Sequence, residues 1–284
     1  MKQLRPLAAL ILAGALCLPG AATTAFAQEE VPFVTTPDRV TLAMLQIAQV
    51  GPRDRLIDLG SGDGRIVITA ARRYGTKGLG VEIVPDLVQQ SRASASAAGV
   101  ADKASFVEQD LFKTELAEAS VITLYLLPEV NLQLRPRLLA LKPGTRIVSH
   151  DWDMGDWLPD QTRTLQVPEK TIGREKLSRV HLWVVPARVQ GLWCGPRGQQ
   201  LSLQQRHQQV SAQLAQAPPH ADHSFTLQGG LDGERLSLAG KAGRLDVRWQ
   251  PEGTLRVQHA SGAWRSWQGV QLRPEPNKQS CSTI

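Results

Sequence analysis

Apolar positions downstream of residue 37 follow two alternating periods. Val40, Ala43, Met44, Ile47 and Ala48 recur every three or four residues, the pattern of one helical face, with Thr36 as the predicted N-cap and Pro37 at the first helical position. Short apolar runs then alternate with amphipathic stretches. LIDL (56–59) and GLGVEI (78–83) predict strands, while 65–73 and 85–98 predict helices, the second stopped by Gly99. SFVEQD (105–110), SVITLYLL (120–127) and TRIVSH (145–150) continue the strand series, with a helix over 132–141. Such alternation predicts a mostly parallel sheet covered on both faces. TRTLQV (162–167) and RVHLWVV (179–185) follow without a helix between them and predict an antiparallel hairpin at the sheet edge.

Beyond residue 188 the pattern changes to short alternating runs such as VSAQL, RLSLAG, RLDVRW and TLRVQ, separated by turn residues. These predict a small antiparallel all-β domain, either a sandwich or a barrel. The chain is thus read as three parts, 1–27, 28–187 and 188–284, with GLWCGP marking the second break. The last part shows no motif with chemistry and reads as a structural or partner-contacting module.

The first part is of another kind. Lys2 and Arg5 precede an apolar run from Leu7 to Leu18, and Ala25-Phe26-Ala27 is a small-x-small cleavage pattern. A secretory signal peptide cleaved after Ala27 is expected, which makes the mature protein periplasmic or secreted. The alternative is an uncleaved membrane anchor, for which a run of 12 apolar residues is short against the roughly 20 that a spanning helix needs. No later segment is expected to span a membrane.

Hydrophobic residues make up 42% of the chain, enough for a sizeable core. Removing the leader takes away Lys2 and Arg5 and leaves 30 basic against 26 acidic side chains, a small and dispersed excess. Nucleic acid is therefore not an expected partner. Cys194 and Cys281 remain after maturation; in an oxidising compartment they either pair or stay as two thiols.

Chemistry concentrates in RLIDLGSGDGRIVITAA, residues 55–71. In an open parallel sheet ligands bind at the carboxyl ends of the strands, where the first βα loop lies. Gly60, Gly62 and Gly64 let the backbone turn sharply and approach a ligand closely, with Ser61 between the first two. A dinucleotide site wants G-x-G-x-x-G, but this loop reads G-x-G-x-G and is flanked by Asp58 and Asp63. Two carboxylates repel a pyrophosphate and attract a cation. S-adenosylmethionine, with a sulfonium, an ammonium and no phosphate, fits that charge pattern. Glu82 ends the second strand, placed to accept from ribose hydroxyls; Asp110 ends the third, placed to accept from the adenine amine, with Leu111 or Phe112 over the ring.

DLGSGDG, VEI and EQDLF resemble the class I S-adenosylmethionine-dependent methyltransferases, over roughly residues 31–186. Within them, VPFVTTP, DLGSGDGRIVI, TLYLLPEVNLQLRP and LKPGTRIVSHDWDMGDWLPD resemble the small lysine methyltransferase family whose mitochondrial members modify the c-ring protein of ATP synthase and the adenine nucleotide translocase. The resemblance implies a Rossmann-like, seven-stranded, doubly wound sheet and methyl transfer to a protein lysine. It also implies Asp58, Gly60, Gly62, Glu82 and Asp110 as cofactor contacts.

Acceptor-side candidates follow from the same strand ends. Tyr125, Leu127 and Pro128 lie beside the expected methyl position, and Tyr125 either lines a channel or packs in the core. His150 and Asp151 end the fifth strand, as proton relay, substrate-orienting groups or merely structural residues. Trp152 and Trp157 either wall the pocket or pack. Phe33, Thr35 and Thr36 form a lid by the family resemblance. The histidines lack paired metal-ligand spacing, so no metal is expected. The acceptor is a protein, with a membrane protein among the candidates, or a small molecule; the third alternative is a non-catalytic periplasmic scaffold that retains the fold. The secretory leader and the segment after 188 are departures from the mitochondrial relatives, and both leave the acceptor open.

Overall fold

The structure, a computed structural model, describes residues 34–171, 175–216, 225–275 and 280–281. The leader and Phe33 lie outside the described residues. Strands β1 (Arg55–Leu59), β2 (Lys77–Glu82), β3 (Ala104–Glu108), β4 (Val121–Leu124), β5 (Arg146–His150), β6 (Gln161–Gln166) and β7 (Leu177–Val184) form one sheet in the order β3-β2-β1-β4-β5-β7-β6. The first five are parallel, and the hairpin adds β7 antiparallel to β5 with β6 at the edge. Chain direction through the sheet reverses between β1 and β4, which opens a crevice at their carboxyl ends.

Alternate strand residues feed two cores. Helices α1 (Asp38–Ile47), α2 (Arg65–Tyr74) and α3 (Pro85–Ala97) cover one face, where Met44, Val67, Val88 and Phe106 pack on Leu56 and Val148. Helix α4 (Pro128–Leu138) covers the other, with Leu134 and Leu138 against Ile57, Ile122, Trp157 and Trp183. Both open edges of the sheet meet an arginine. Arg92 of α3 donates to the Phe106 carbonyl of β3 at 2.8 Å, and Arg39 of α1 donates to the Gln166 carbonyl of β6 at 3.1 Å.

Several boundaries differ from the sequence expectation for identifiable reasons. Pro37 has ψ 147°, so it stays extended as the N-cap and α1 begins at Asp38, one residue later than predicted. β4 ends at Leu124 because α4 starts at Pro128, whose fixed φ suits a first helical position. Tyr125 is thereby released from the strand to the mouth of the sheet.

The region after β7 is an eight-stranded closed antiparallel barrel, from β8 (Gly191–Cys194) to β15 (Gln271–Pro274). Pairing of β15 with β8 closes it. Leucines alternate inward along the strands, and Leu201, Leu214, Leu236, Leu238, Leu245 and Leu255 are fully buried in its centre. Cys194 and Cys281 are joined by a disulfide. The barrel is fastened to the sheet side by backbone and side-chain bonds: Ala187 N donates to the Gly233 carbonyl at 2.8 Å, and Gln208 Nε2 to the Leu158 carbonyl at 2.6 Å. Among the described residues no helix is long and apolar enough to cross a membrane.

Candidate active site at the strand ends

The glycine loop is left-handed at three points: Gly60, Gly62 and Gly64 have φ of 74°, 53° and 78°. An L side chain is disfavoured at such angles. Space forbids one at Gly64, where a Cβ would stand 2.6 Å from the Phe106 ring, and crowds one at Gly60, where it would stand 2.8 Å from the movable end of Leu126. Gly60 N and Ser61 N both donate to the Val81 carbonyl, at 2.8 and 3.0 Å, which ties the loop to the end of β2.

Asp58 is buried at the end of β1, where its Oδ1 accepts from Thr123 Oγ1 of β4 at 2.7 Å. Burial pushes this carboxyl up to about 7; the Thr123 hydroxyl pulls it down, and the charges of Glu82 and Asp63 push it up further. Ser61 Oγ in the same loop, close against Gly80 of β2, is buried with no hydrogen-bond partner among the described residues. A buried carboxylate repelled by two others is a site that a cationic ligand stabilises. The donor set fits S-adenosylmethionine on that ground.

Glu82 is more constrained than its sequence position implies. Its Oε2 accepts from Gly62 N at 2.9 Å, and Oε1 accepts from Ile83 N and Val84 N at 2.8 and 3.1 Å. Three backbone donors thus fix the carboxylate at the end of β2. Asp110 Oδ1 accepts from Phe112 N at 2.8 Å and caps the short 3-10 turn at 111–113, which presents Leu111 and Phe112 half-buried. Asp63 differs from the expected pair of ligand-facing acids. Arg65 reaches back two residues and donates to both its oxygens, at 2.5 to 3.1 Å, so its charge is matched within the loop.

Of the acceptor-side candidates, Thr35, Tyr125 and His150 line a cavity of about 300 Å³, together with Arg65 and Lys170 among others, whereas Asp151 does not. It brings Arg65, the first residue of α2, together with the ends of β4 and β5, while Asp58, Gly60, Gly62, Glu82 and Asp110 are not among its lining residues. The Tyr125 ring stacks on His150 with centroids 4.0 Å apart. Burial raises the Tyr125 hydroxyl above its ordinary value, helped by the Asp151 charge. His150 is fully buried, and burial lowers it to about 4, overriding the opposing pull of Asp151. It is neutral at pH 7, so the 3.4 Å approach of Nε2 to Asp151 Oδ2 is not an ion pair. His150 Nε2 bonds Ser178 Oγ at 2.9 Å, and Nδ1 is buried without a partner among the described residues.

Asp151 stands in the left-handed region, φ 63°, and its carboxylate is fully engaged. Oδ1 accepts from Arg179 N at 2.9 Å, and Oδ2 accepts from Lys170 Nζ at 2.7 Å. Leu127, Pro128 and Trp152 are not among the cavity's lining residues. The Leu127 carbonyl starts α4 by accepting from Val130 N and Asn131 N, Pro128 is its first residue, and Trp152 is exposed with its carbonyl on Asn131 Nδ2 at 3.3 Å. Sequence reasoning missed Thr123, Arg65 and Lys170. Their roles arise from pairing across strands and loops, and a lone Thr, Arg or Lys carries no spacing signal for that.

A family model described as the ANTKMT methyltransferase domain matches residues 58–161, ending before the barrel begins. The chain is 44% identical over 133 residues to a protein-lysine N-methyltransferase of Saccharolobus islandicus, covering 46% of this chain and 83% of that protein. It is 35% identical over 158 residues to the lysine N-methyltransferase of Rattus norvegicus named for the C-subunit of ATP synthase, covering 54% of this chain and 72% of that one. Among solved structures, an RNA methyltransferase from Salinibacter ruber in complex with S-adenosyl-L-homocysteine is 50% identical, with a TM-score of 0.51 over 55% of this chain and 96% of its own.

Proposed function

Since the chain belongs to the ANTKMT family of S-adenosylmethionine-dependent methyltransferases, we propose that it N-methylates the side chain of a lysine in a protein acceptor. The observation that carries this reading is the cavity shared by Arg65, directly after the glycine loop at the start of α2, and by Tyr125 and His150 at the ends of β4 and β5. The two relatives named as lysine methyltransferases support the choice of acceptor.

When bound, the cofactor supplies a methyl group on a sulfonium, open to in-line displacement by a neutral amine. The chain's own task is to bring that amine to about 3 Å in the right direction. A lysine with an ordinary pKa near 10.4 is neutral in only about one molecule in 2,000 at pH 7, equivalent to roughly 4.6 kcal/mol. Desolvation in the cavity shifts that balance toward the amine. Tyr125 stays protonated, so its hydroxyl oxygen accepts from the amine N–H and turns the lone pair toward the methyl. Neutral His150 backs the Tyr125 ring without placing a second positive charge beside the acceptor. Thr35 closes the cavity from the segment before α1.

A test titrates the protein with S-adenosylmethionine by calorimetry and then measures methyl transfer to poly-L-lysine and to RNA. Transfer to lysine, with a Tyr125→Phe variant losing kcat at unchanged cofactor affinity, supports the reading. Transfer to RNA alone favours the second reading, for which the name of the Salinibacter ruber relative is the specific support. Cofactor binding without transfer to either points to the small-molecule alternative, and no binding at all to a scaffold.

Export is part of the same proposal. The leader pattern motivates it, and a disulfide between Cys194 and Cys281 is chemistry of an oxidising compartment. Cell fractionation that leaves the protein in the cytoplasm with its leader attached would sink it.

A further inference from the structure

Lys170 lies in the connection between β6 and β7, yet its ammonium is turned inward. Nζ is 2.7 Å from Asp151 Oδ2 and 2.6 Å from the Leu177 carbonyl, and the side chain is 13% exposed. Both are short, charge-assisted contacts. The cradle is set independently of the lysine, because Asp151 is locked in its left-handed conformation by the Arg179 N–H on Oδ1. His150, the other group facing Asp151 Oδ2, is neutral and brings no competing charge. The same lysine lines the cavity with Tyr125, His150 and Arg65. A structural ion pair has no need of that position. A lysine head group held by a carboxylate and a carbonyl, on a side chain that lines the cavity shared by Tyr125 and His150, has the chemistry of a bound acceptor.

We propose that Asp151 and the Leu177 carbonyl form the ammonium subsite for the acceptor, and that Lys170 occupies it as an internal acceptor which the centre methylates when no other lysine is present. This rests on the reading of the enzyme as a lysine methyltransferase. The ammonium of Lys170 gives its proton to Asp151 Oδ2, from which it passes to solvent. The freed lone pair on Nζ forms the N–C bond to the methyl carbon as the S–C bond breaks, its electron pair remaining on a now neutral thioether. An incoming lysine must displace Lys170 from the cradle, so internal and external acceptors compete.

The first test uses no cofactor. Calorimetric titration of the cofactor-free protein with n-butylammonium, the lysine head group on its stem, is expected to give about tenfold tighter binding to Lys170→Met than to wild type. Lys170→Arg, which keeps a cation in the cradle, binds as wild type does, and adding Asp151→Asn to Lys170→Met abolishes the gain. Equal affinity in wild type and Lys170→Met overturns the proposal. The second test incubates the wild-type protein with S-adenosylmethionine alone and maps methyl groups by peptide mass spectrometry. Methyl on Lys170, suppressed by excess poly-L-lysine, is expected. Methylated poly-L-lysine with Lys170 untouched overturns the internal-acceptor claim while leaving the lysine reading intact. Methyl on neither, with the cofactor bound, overturns that reading and this proposal with it.

Discussion

The two halves of this molecule bury different things. At the strand ends of the sheet, Asp58, Ser61 and His150 are all withdrawn from water with charge or hydrogen-bonding capacity in excess of what surrounds them. The barrel centre is leucine, valine and tryptophan, and among its described residues no ionisable side chain is buried. An open sheet has strand ends where unmatched polarity can await a ligand. A closed barrel turns most inward positions into packing, and the unmatched groups it buries among the described residues are the uncharged indole N–H groups of Trp264 and Trp267. The difference teaches that reactivity and robustness are assigned to separate regions, and that damage to one should be readable apart from damage to the other.

Removing the disulfide is the largest perturbation on the barrel side. Cys194 and Cys281 are 87 residues apart, a loop whose closure constrains the unfolded chain by about 4.6 kcal/mol. Cys281→Ser is expected to lower the denaturant midpoint markedly while the affinity for S-adenosyl-L-homocysteine, measured by calorimetry, stays within twofold. A large loss of affinity would break the separation. Leu238→Ala, at a fully buried barrel position, should destabilise by about 3 kcal/mol, again without touching cofactor affinity.

On the sheet side the signs reverse. Asp58→Asn is expected to weaken cofactor binding about 100-fold, or about 2.7 kcal/mol, yet not to destabilise the cofactor-free protein above pH 7. The native carboxyl is raised to about 7 by burial, so the folded state holds a proton that the unfolded chain releases near 4. The Asp58 contribution to the stability of the cofactor-free protein therefore falls as pH rises from about 4 through about 7, by a total on the order of 4 kcal/mol; buried His150, lowered to about 4, contributes the opposite slope in both proteins, so the difference between wild type and the Asn variant isolates the Asp58 contribution. Guanidinium unfolding at a series of pH values checks this; an identical slope in both proteins would refute it. Thr123→Val is the mildest change. It removes the one hydrogen bond that favours the Asp58 carboxylate, so cofactor affinity at pH 7 should drop about tenfold and recover by pH 9.

Much of the sheet was legible because its signals are local. Strand runs, helical faces and the glycines at 60, 62 and 64 each express their own backbone requirement. Glu82 and Asp110 could be placed by counting along strands. What escaped the sequence depends on partners distant in the chain. Arg65 neutralises Asp63 only because the first turn of α2 points it backward; Lys170 meets Asp151 only because the hairpin folds over the end of β5. Tyr125 left its predicted strand because Pro128 began a helix earlier than the apolar periodicity indicated. Sandwich and barrel were indistinguishable until β15 paired with β8, a contact between the two ends of the region that alternation alone does not encode.

The two arginines at the sheet margins carry a consequence for life in a crowded compartment. Barrel closure leaves β3 and β6 as the places where a foreign strand could add to either sheet. At one, the Phe106 carbonyl is already taken by Arg92; at the other, the Gln166 carbonyl is taken by Arg39, within a strand made mostly of glutamine, threonine and arginine. Each margin therefore has one outward carbonyl occupied by an arginine, which shortens the run of bare backbone that a foreign strand could pair with.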